Sequence, residues 1–266
     1  MQTPRSLLFV PGDRPDRFDK AVESGAGLVV LDLEDAVKPE AKDVARRYVG
    51  EWLESGGRAA IRVNGIVSPW HDDDMDLVYS PGATAIMLPK AENPSAIESL
   101  AATLPKGLSI IALIETALGV WNAAEIATIA QVSRLAFGSV DFCLDSGTGD
   151  SREALLYARS RLVLASAMAR IAPPVDGVTI RPDDVDQLDS DIAHAHSLGF
   201  GGKLCIHPEQ VDRVNAGFNP TAESLDWARR VVDAARGQSA GAIMLDGELI
   251  DRPVIERARR LLDQAG

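Results

Sequence analysis

Cysteine is almost missing from this chain: Cys143 and Cys205 are the only two in 266 residues. Two distant thiols make neither a secreted disulfide framework nor the ligand spacing of a zinc site. Long apolar runs are absent as well. No stretch reaches the roughly 20 apolar residues of a membrane span. The apolar segment between Arg5 and Pro11 is too short for a secretory signal. A soluble, cytoplasmic protein is therefore expected. Positive charge is in deficit, with 27 Lys and Arg against 39 Asp and Glu and a formal net charge of −12. Nucleic acid and anionic membrane both need concentrated positive charge, so neither is expected as a partner. A basic pocket for a small anion stays open. The glycine-rich phosphate turn of an open dinucleotide-binding sheet is lacking too, because the first strand-like run leads into Val10-Pro11-Gly12-Asp13-Arg14-Pro15.

What is present is an alternation of short apolar runs with longer amphipathic stretches. The runs are Ser6–Val10, Leu28–Leu33, Ala59–Val63, Ala85–Leu88, Ser109–Ile114, Arg134–Phe137, Val175–Val178 and Lys203–Ile206. Apolar runs without polar alternation suit strands buried on both faces, as in a parallel sheet. Helical stretches are expected over Arg14–Ser24, Pro39–Ser55, Pro94–Thr103, Ser151–Ile171 and Asp183–Leu198. Asn93-Pro94 and the pair Asp183-Asp184 carry helix-start chemistry. This rhythm predicts an α/β fold, a (β/α)₈ TIM barrel over residues 1–218. After Gly217-Phe218-Asn219-Pro220 it changes to a helix over Ala222–Arg236, an Asp246-Gly247 hairpin signal and a last helix over Val254–Gln264. Residues 219–266 are thus expected to form a small C-terminal segment, too small to hold a core alone.

A barrel places its chemistry at the C-terminal ends of its strands. Those ends here read Asp32-Leu33-Glu34-Asp35, Arg62-Val63-Asn64, Pro89-Lys90, Glu115-Thr116, Gly138-Ser139-Val140-Asp141 and His207-Pro208. Glu115 and Asp141 are expected to end neighbouring strands and to approach each other. Two carboxylates with oxygens left for water and substrate suit Mg²⁺. The alternative is a structural ion network with Arg62 and Lys90. Those two cations would otherwise face a substrate carboxylate or a developing oxyanion. His207 suits a structural hydrogen bond as well as a ligand contact, and His71, His194 and His196 read as surface residues.

Taken with Leu8–Pro15, Met87–Lys90, Cys205–Pro208 and Leu249–Pro253, these segments run through the chain in order. Together they resemble the citrate lyase β-subunit-like proteins of the HpcH/HpaI aldolase and CoA-ester lyase family, relatives of malyl-CoA lyase. The resemblance implies a barrel whose C-terminal helical lid docks on a neighbouring subunit of a homotrimer or dimer of trimers. It implies Mg²⁺ (or Mn²⁺) on Glu115 and Asp141, a substrate contact at Arg62, and acid–base chemistry at Asp251. Phe9, Val10, Arg14, Lys20, Val140, Ile206 and His207 would approach CoA or the acid, with Glu34, Asp35 and Lys90 in support. The implied reaction is cleavage or formation of a 3-hydroxy-dicarboxylic acyl-CoA, such as citramalyl-, malyl- or citryl-CoA, to acetyl-CoA and a 2-oxo acid. The alternatives are a thioesterase, a partner-dependent β subunit of a citrate lyase complex, and a CoA-free metal-dependent aldolase. Arg181 departs from the family pattern, standing where an acidic residue is usual.

Overall fold

Eight strands pair in parallel and in sequence order into a closed barrel. The computed structural model describes residues 3–236 and 243–263. The strands are β1 (Ser6–Pro11), β2 (Leu28–Asp32), β3 (Ala59–Arg62), β4 (Ala83–Leu88), β5 (Ser109–Ile114), β6 (Val132–Phe137), β7 (Ala172–Asp176) and β8 (Gly202–Cys205). β8 closes on β1 through Ser6/Lys203, Leu7/Leu204 and Leu8/Cys205. Leu7, Val30, Met87, Leu113, Val175 and Leu204 pack together in one core cluster. Their sequence neighbours Leu8, Leu31, Leu88 and Cys205 are buried as well. With both faces covered, the strands need no polar alternation, which is why they read as continuous apolar runs.

The helices are α1 (Phe18–Glu23), α2 (Lys42–Glu54), α3 (His71–Met75), α4 (Pro94–Thr103), α5 (Ala117–Ala127), α6 (Ser139–Ser146), α7 (Arg152–Ala169), α8 (Val185–Leu198) and α9 (Val211–Gly217). Side chains of Asn93, Thr116, Ser151 and Asp184 accept hydrogen bonds from the first-turn amides of α4, α5, α7 and α8. These are the residue types whose short polar side chains satisfy otherwise orphaned helix amides.

Several expectations are corrected. The seventh strand lies at Ala172–Asp176 rather than Val175–Val178 and contains Pro173 and Pro174. Its pairing with β6 is irregular, as expected where prolines remove ladder donors. The free carbonyls are used instead: Arg134 Nε donates to Pro173 O at 2.7 Å, and Gly201 N to Pro174 O at 2.9 Å. Helices α3, α5, α6 and α9 lie outside the stretches named from the sequence, although eight strand–helix units call for a helix after β5 and after β6. His71 is buried, its Nδ1 2.7 Å from Asn64 O, and the His194 Nε2 is buried too. Among the described residues, no helix is long and apolar enough to cross a membrane.

The barrel forms one compact unit, Thr3–Asn215, and a second begins at Ala216. The second contains α10 (Ala222–Ala235), an antiparallel hairpin of β9 (Ile243–Leu245) and β10 (Glu248–Ile250), and α11 (Arg252–Asp263). Asp246 and Gly247 turn the hairpin with φ of 52° and 84°, the paired positive angles of a tight two-residue turn. Ala228, Val231, Ile250 and Ala258 form this unit's own buried cluster. Gln264, expected to end the last helix, lies outside the described residues.

Candidate active site at the barrel mouth

Parallel register decides which side chains meet at the mouth. Asp32 and Arg62, the last residues of β2 and β3, are register partners. Arg62 therefore reaches Asp32 with two parallel bonds, Nε to Oδ1 at 2.7 Å and Nη2 to Oδ2 at 2.6 Å. Its guanidinium carbon stands 4.7 Å from the centroid of the Phe9 ring, and Nη1 lies 3.2 Å from Glu34 Oε2. Burial alone would weaken the guanidinium's hold on its proton, but Asp32 and Glu34 more than offset it and raise the Arg62 pKa. The result is a permanently charged, planar donor held in one orientation.

Glu34 is buried beside it. Lys90 Nζ donates to Glu34 Oε1 at 2.7 Å, while Oε2 has no hydrogen bond. Desolvation raises the Glu34 pKa against the pull of Arg62 and Lys90. Lys90 itself adopts φ 48°, a left-handed conformation costing a non-glycine residue about 1–2 kcal/mol. In that conformation its backbone N–H donates to Glu115 Oε1 at 2.8 Å. Behind these residues, Lys42 Nζ donates to Leu33 O, Glu34 O and Asn64 Oδ1 at 2.6, 2.7 and 2.9 Å. Asn64 and Arg46 both bond the buried Asp74. The termini of β2 and β3 are thereby braced to each other.

Glu115 directly follows β5, with only 2% of its surface exposed. Burial first, then the nearby charges of Glu34 and Asp141, push its carboxyl pKa up to about 8. A Cβ on Gly138 would meet Glu115 Cβ at 2.5 Å, so only glycine lets the β6–α6 turn pass this close. Asp141 follows in the first turn of α6 rather than at the end of β6, and is half-buried. Glu115, Asp141, Arg62, Phe9, Asp35, Val140 and Ile206 line one cavity of about 400 Å³.

Of the other expected residues, several in the barrel unit do not line that cavity, and Asp251 belongs to the second unit. Val10 is buried within the fold and does not line that cavity. Arg14 pairs with Asp16 at 3.0 Å on the surface, and Lys20 is exposed on α1. His207 Nδ1 accepts from Glu209 N and caps the turn Pro208–Gln210. Arg181 is exposed and ion-paired with Asp184 at 2.6 Å. It lines a separate, neighbouring cavity. Asp251 Oδ1 accepts from Val254 N at 3.3 Å, capping α11. Asp32 is the residue that sequence reasoning undervalued, though its place at the end of β2 beside a β3 arginine carried the signal.

Five carboxylates, Asp32, Glu34, Asp35, Glu115 and Asp141, meet three cations, Arg62, Lys90 and Lys42. A divalent cation on Glu115 and Asp141 would balance the excess, and two carboxylates leave an octahedral ion room for water and substrate oxygens. The residues present fit Mg²⁺.

Residues 5–208 match the family model for HpcH/HpaI aldolase/citrate lyase. A citrate lyase subunit beta-like protein of Deinococcus radiodurans is 35% identical over 274 residues, covering 97% of this chain and 96% of its own. A (3S)-malyl-CoA thioesterase of Cereibacter sphaeroides is 34% identical, covering 98% and 94%. The crystal structure of CitE from Mycobacterium tuberculosis, in complex with magnesium, acetoacetate and coenzyme A, superposes with a TM-score of 0.86 at 33% identity. It covers 99% of this chain and 98% of that one. With its barrel, its paired acidic residues and this end-to-end likeness, the chain belongs to the HpcH/HpaI aldolase/citrate lyase family.

Proposed function

We propose that this protein is a Mg²⁺-dependent carbon–carbon lyase that cleaves, or forms, a 3-hydroxy acyl-CoA carrying a second carboxylate. The products of cleavage are acetyl-CoA and a 2-oxo acid. The observation that carries the reading is Glu115, a buried carboxylate pushed up to about 8 by burial and by Glu34 and Asp141, in one cavity with a clamped arginine. Bound at Glu115 and Asp141, Mg²⁺ supplies Lewis acidity towards the oxygens of the oxo acid. The liganded relative from M. tuberculosis, with its magnesium, acetoacetate and coenzyme A, supports the choice of metal and ligand class.

The chain's own residues account for the rest of the chemistry. Loss of the C3 hydroxyl proton to solvent and breaking of the C2–C3 bond turn C3 into the carbonyl of the oxo acid and leave negative charge on the thioester oxygen as an enolate. Arg62, fixed by Asp32 and stacked on Phe9, stabilises that oxygen as the charge develops; losing one such donor typically costs ~2.7–4 kcal/mol. Asp251 returns a proton to the enolate carbon in cleavage and removes it in synthesis. We assign that residue to the lid of a neighbouring subunit in a homotrimer, where closure excludes water from the enolate. Phe9, Val140 and Ile206 line the cavity on the side of the thioester, and Arg14, Lys20, His207 and the Val10 backbone serve the CoA arm.

The test is product analysis on purified protein given malyl-, citramalyl- and citryl-CoA, with Mg²⁺ or with EDTA. Acetyl-CoA plus oxo acid, abolished by EDTA, is the expected result. Activity indifferent to EDTA overturns the metal assignment. Free CoA with intact hydroxy acid would instead favour a thioesterase, a reading supported by the relative from C. sphaeroides. Silence on every ester, relieved only by added partner subunits, overturns the stand-alone lyase.

A further inference from the structure

The cavity at the mouth has a larger neighbour, of about 770 Å³, between α6, α7, α8 and the loop after β7. Ser139, Val140 and Val178 line both. The separation is small: the Arg159 guanidinium lies 5.5 Å from the centroid of Phe137, and Phe137 lines the mouth. The second cavity is lined by the apolar Val140, Val178 and Leu155, by Arg152, Arg159 and Arg181, and by Asp150, Asp176 and Asp191.

The charges there are unevenly committed. Asp176 is a single carboxylate serving two cations, Arg159 Nε at 2.8 Å and Lys203 Nζ at 3.5 Å. Asp191 has both oxygens engaged by neutral donors, Thr179 and Gln187, and stands 3.9 Å from Arg152. Arg181 is turned to Asp184. Asp150 is exposed at the rim. The His194 Nε2 is buried without a hydrogen-bond partner, and a buried polar atom left so costs about 1–3 kcal/mol unless something meets it. Burial, Arg152 and Arg159 lower that ring's pKa against the pull of Asp176 and Asp191.

We propose that this second cavity receives the far end of the oxo acid, and that the acid is a 2-oxo dicarboxylate longer than four carbons. Its methylenes cross the Val140–Val178 edge, and its distal carboxylate is held by Arg152 and Arg159. The proposal rests on the lyase reading and extends its substrate class beyond the oxo acids released from malyl-, citramalyl- and citryl-CoA.

Isothermal titration of the full chain at saturating Mg²⁺ tests it, with pyruvate, 2-oxohexanoate and 2-oxoadipate as probes. 2-Oxoadipate and 2-oxohexanoate have the same length and differ in the terminal carboxylate. The dicarboxylate is expected to bind roughly tenfold or more tightly than the monocarboxylate, the worth of a charge-assisted hydrogen bond. Arg152→Gln, at a half-exposed position, is expected to collapse that ratio. Equal affinities for the two acids, or a ratio that survives Arg152→Gln, overturn the proposal while pyruvate binding upholds the lyase reading. Failure of all three acids to bind, pyruvate included, overturns both.

Discussion

Glu115 bears the heaviest electrostatic load at the mouth, and its protonation has consequences that can be measured without substrate. The unfolded chain ionises this carboxyl near 4.5 and the folded one near 8. Between those values the folded state holds a proton that the unfolded state has lost, so each rise in pH lowers stability, and the loss levels off above about 8. In EDTA, the melting temperature is expected to fall from pH 6 to 8, with Glu115→Gln showing a shallower slope. Saturating Mg²⁺ is expected to flatten the wild-type slope as well. A metal-free profile identical in wild type and variant would contradict this. Asp32 offers a second test at this scale. Asp32→Ala leaves the Arg62 charge buried without its clamp, and removing one partner of such a pair costs ~3–5 kcal/mol. Urea unfolding measures that loss, and turnover is expected to fall with it, because the free guanidinium no longer points one way.

At the scale of the element, the junction of β5 and α5 ties the buried Glu115 to a helix start. Thr116 Oγ1 accepts from Gly119 N at 3.0 Å and donates to Glu92 Oε2 at 2.9 Å, one residue after Glu115. Thr116→Ala is expected to cost ~1 kcal/mol in thermal or urea unfolding, and Thr116→Ser to recover most of it. α11 poses the converse case, since Asp251 both caps the helix and is proposed to move a proton. Asparagine caps as well as aspartate, so Asp251→Asn is expected to melt near wild type while turnover drops ~10²–10⁴-fold. Undiminished turnover would remove Asp251 from the mechanism. The elements also show what could be read from the chain. The barrel strands were legible because burial on both faces leaves unbroken apolar runs such as Ser109–Ile114. Helix α5, Ala-Leu-Gly-Val-Trp-Asn-Ala-Ala-Glu-Ile-Ala, was not, being apolar nearly all round with no stripe. Helix α3, His-Asp-Asp-Asp-Met, shows no apolar period at all, and its burial of His71 and Asp74 follows from contacts with Asn64. Glu115 and Arg62 were legible as strand-end charges. The clamp by Asp32 and the left-handed Lys90 depend on register and backbone angle, which residue types alone do not display.

For the whole molecule, the proposed trimer makes each reaction centre a joint product of two chains. Mixing two inactive proteins tests this directly. Glu115→Gln lacks the proposed metal ligand but keeps Asp251, and Asp251→Asn keeps the barrel site. Co-refolded, some centres would pair an intact barrel with an intact lid from the other chain, and turnover is expected to return. No recovery from demonstrably mixed assemblies would place the lid of each subunit over its own barrel.

The bracing beneath the mouth has one more consequence. The Lys42 ammonium is buried, with three oxygens claiming its protons, and burial lowers its pKa. Amine-acylating reagents therefore find a nucleophile that is sealed in while β2 and β3 hold together and that becomes an ordinary, accessible lysine only once freed. Its labelling would serve as a molecular clock, ticking only when β2 and β3 come apart.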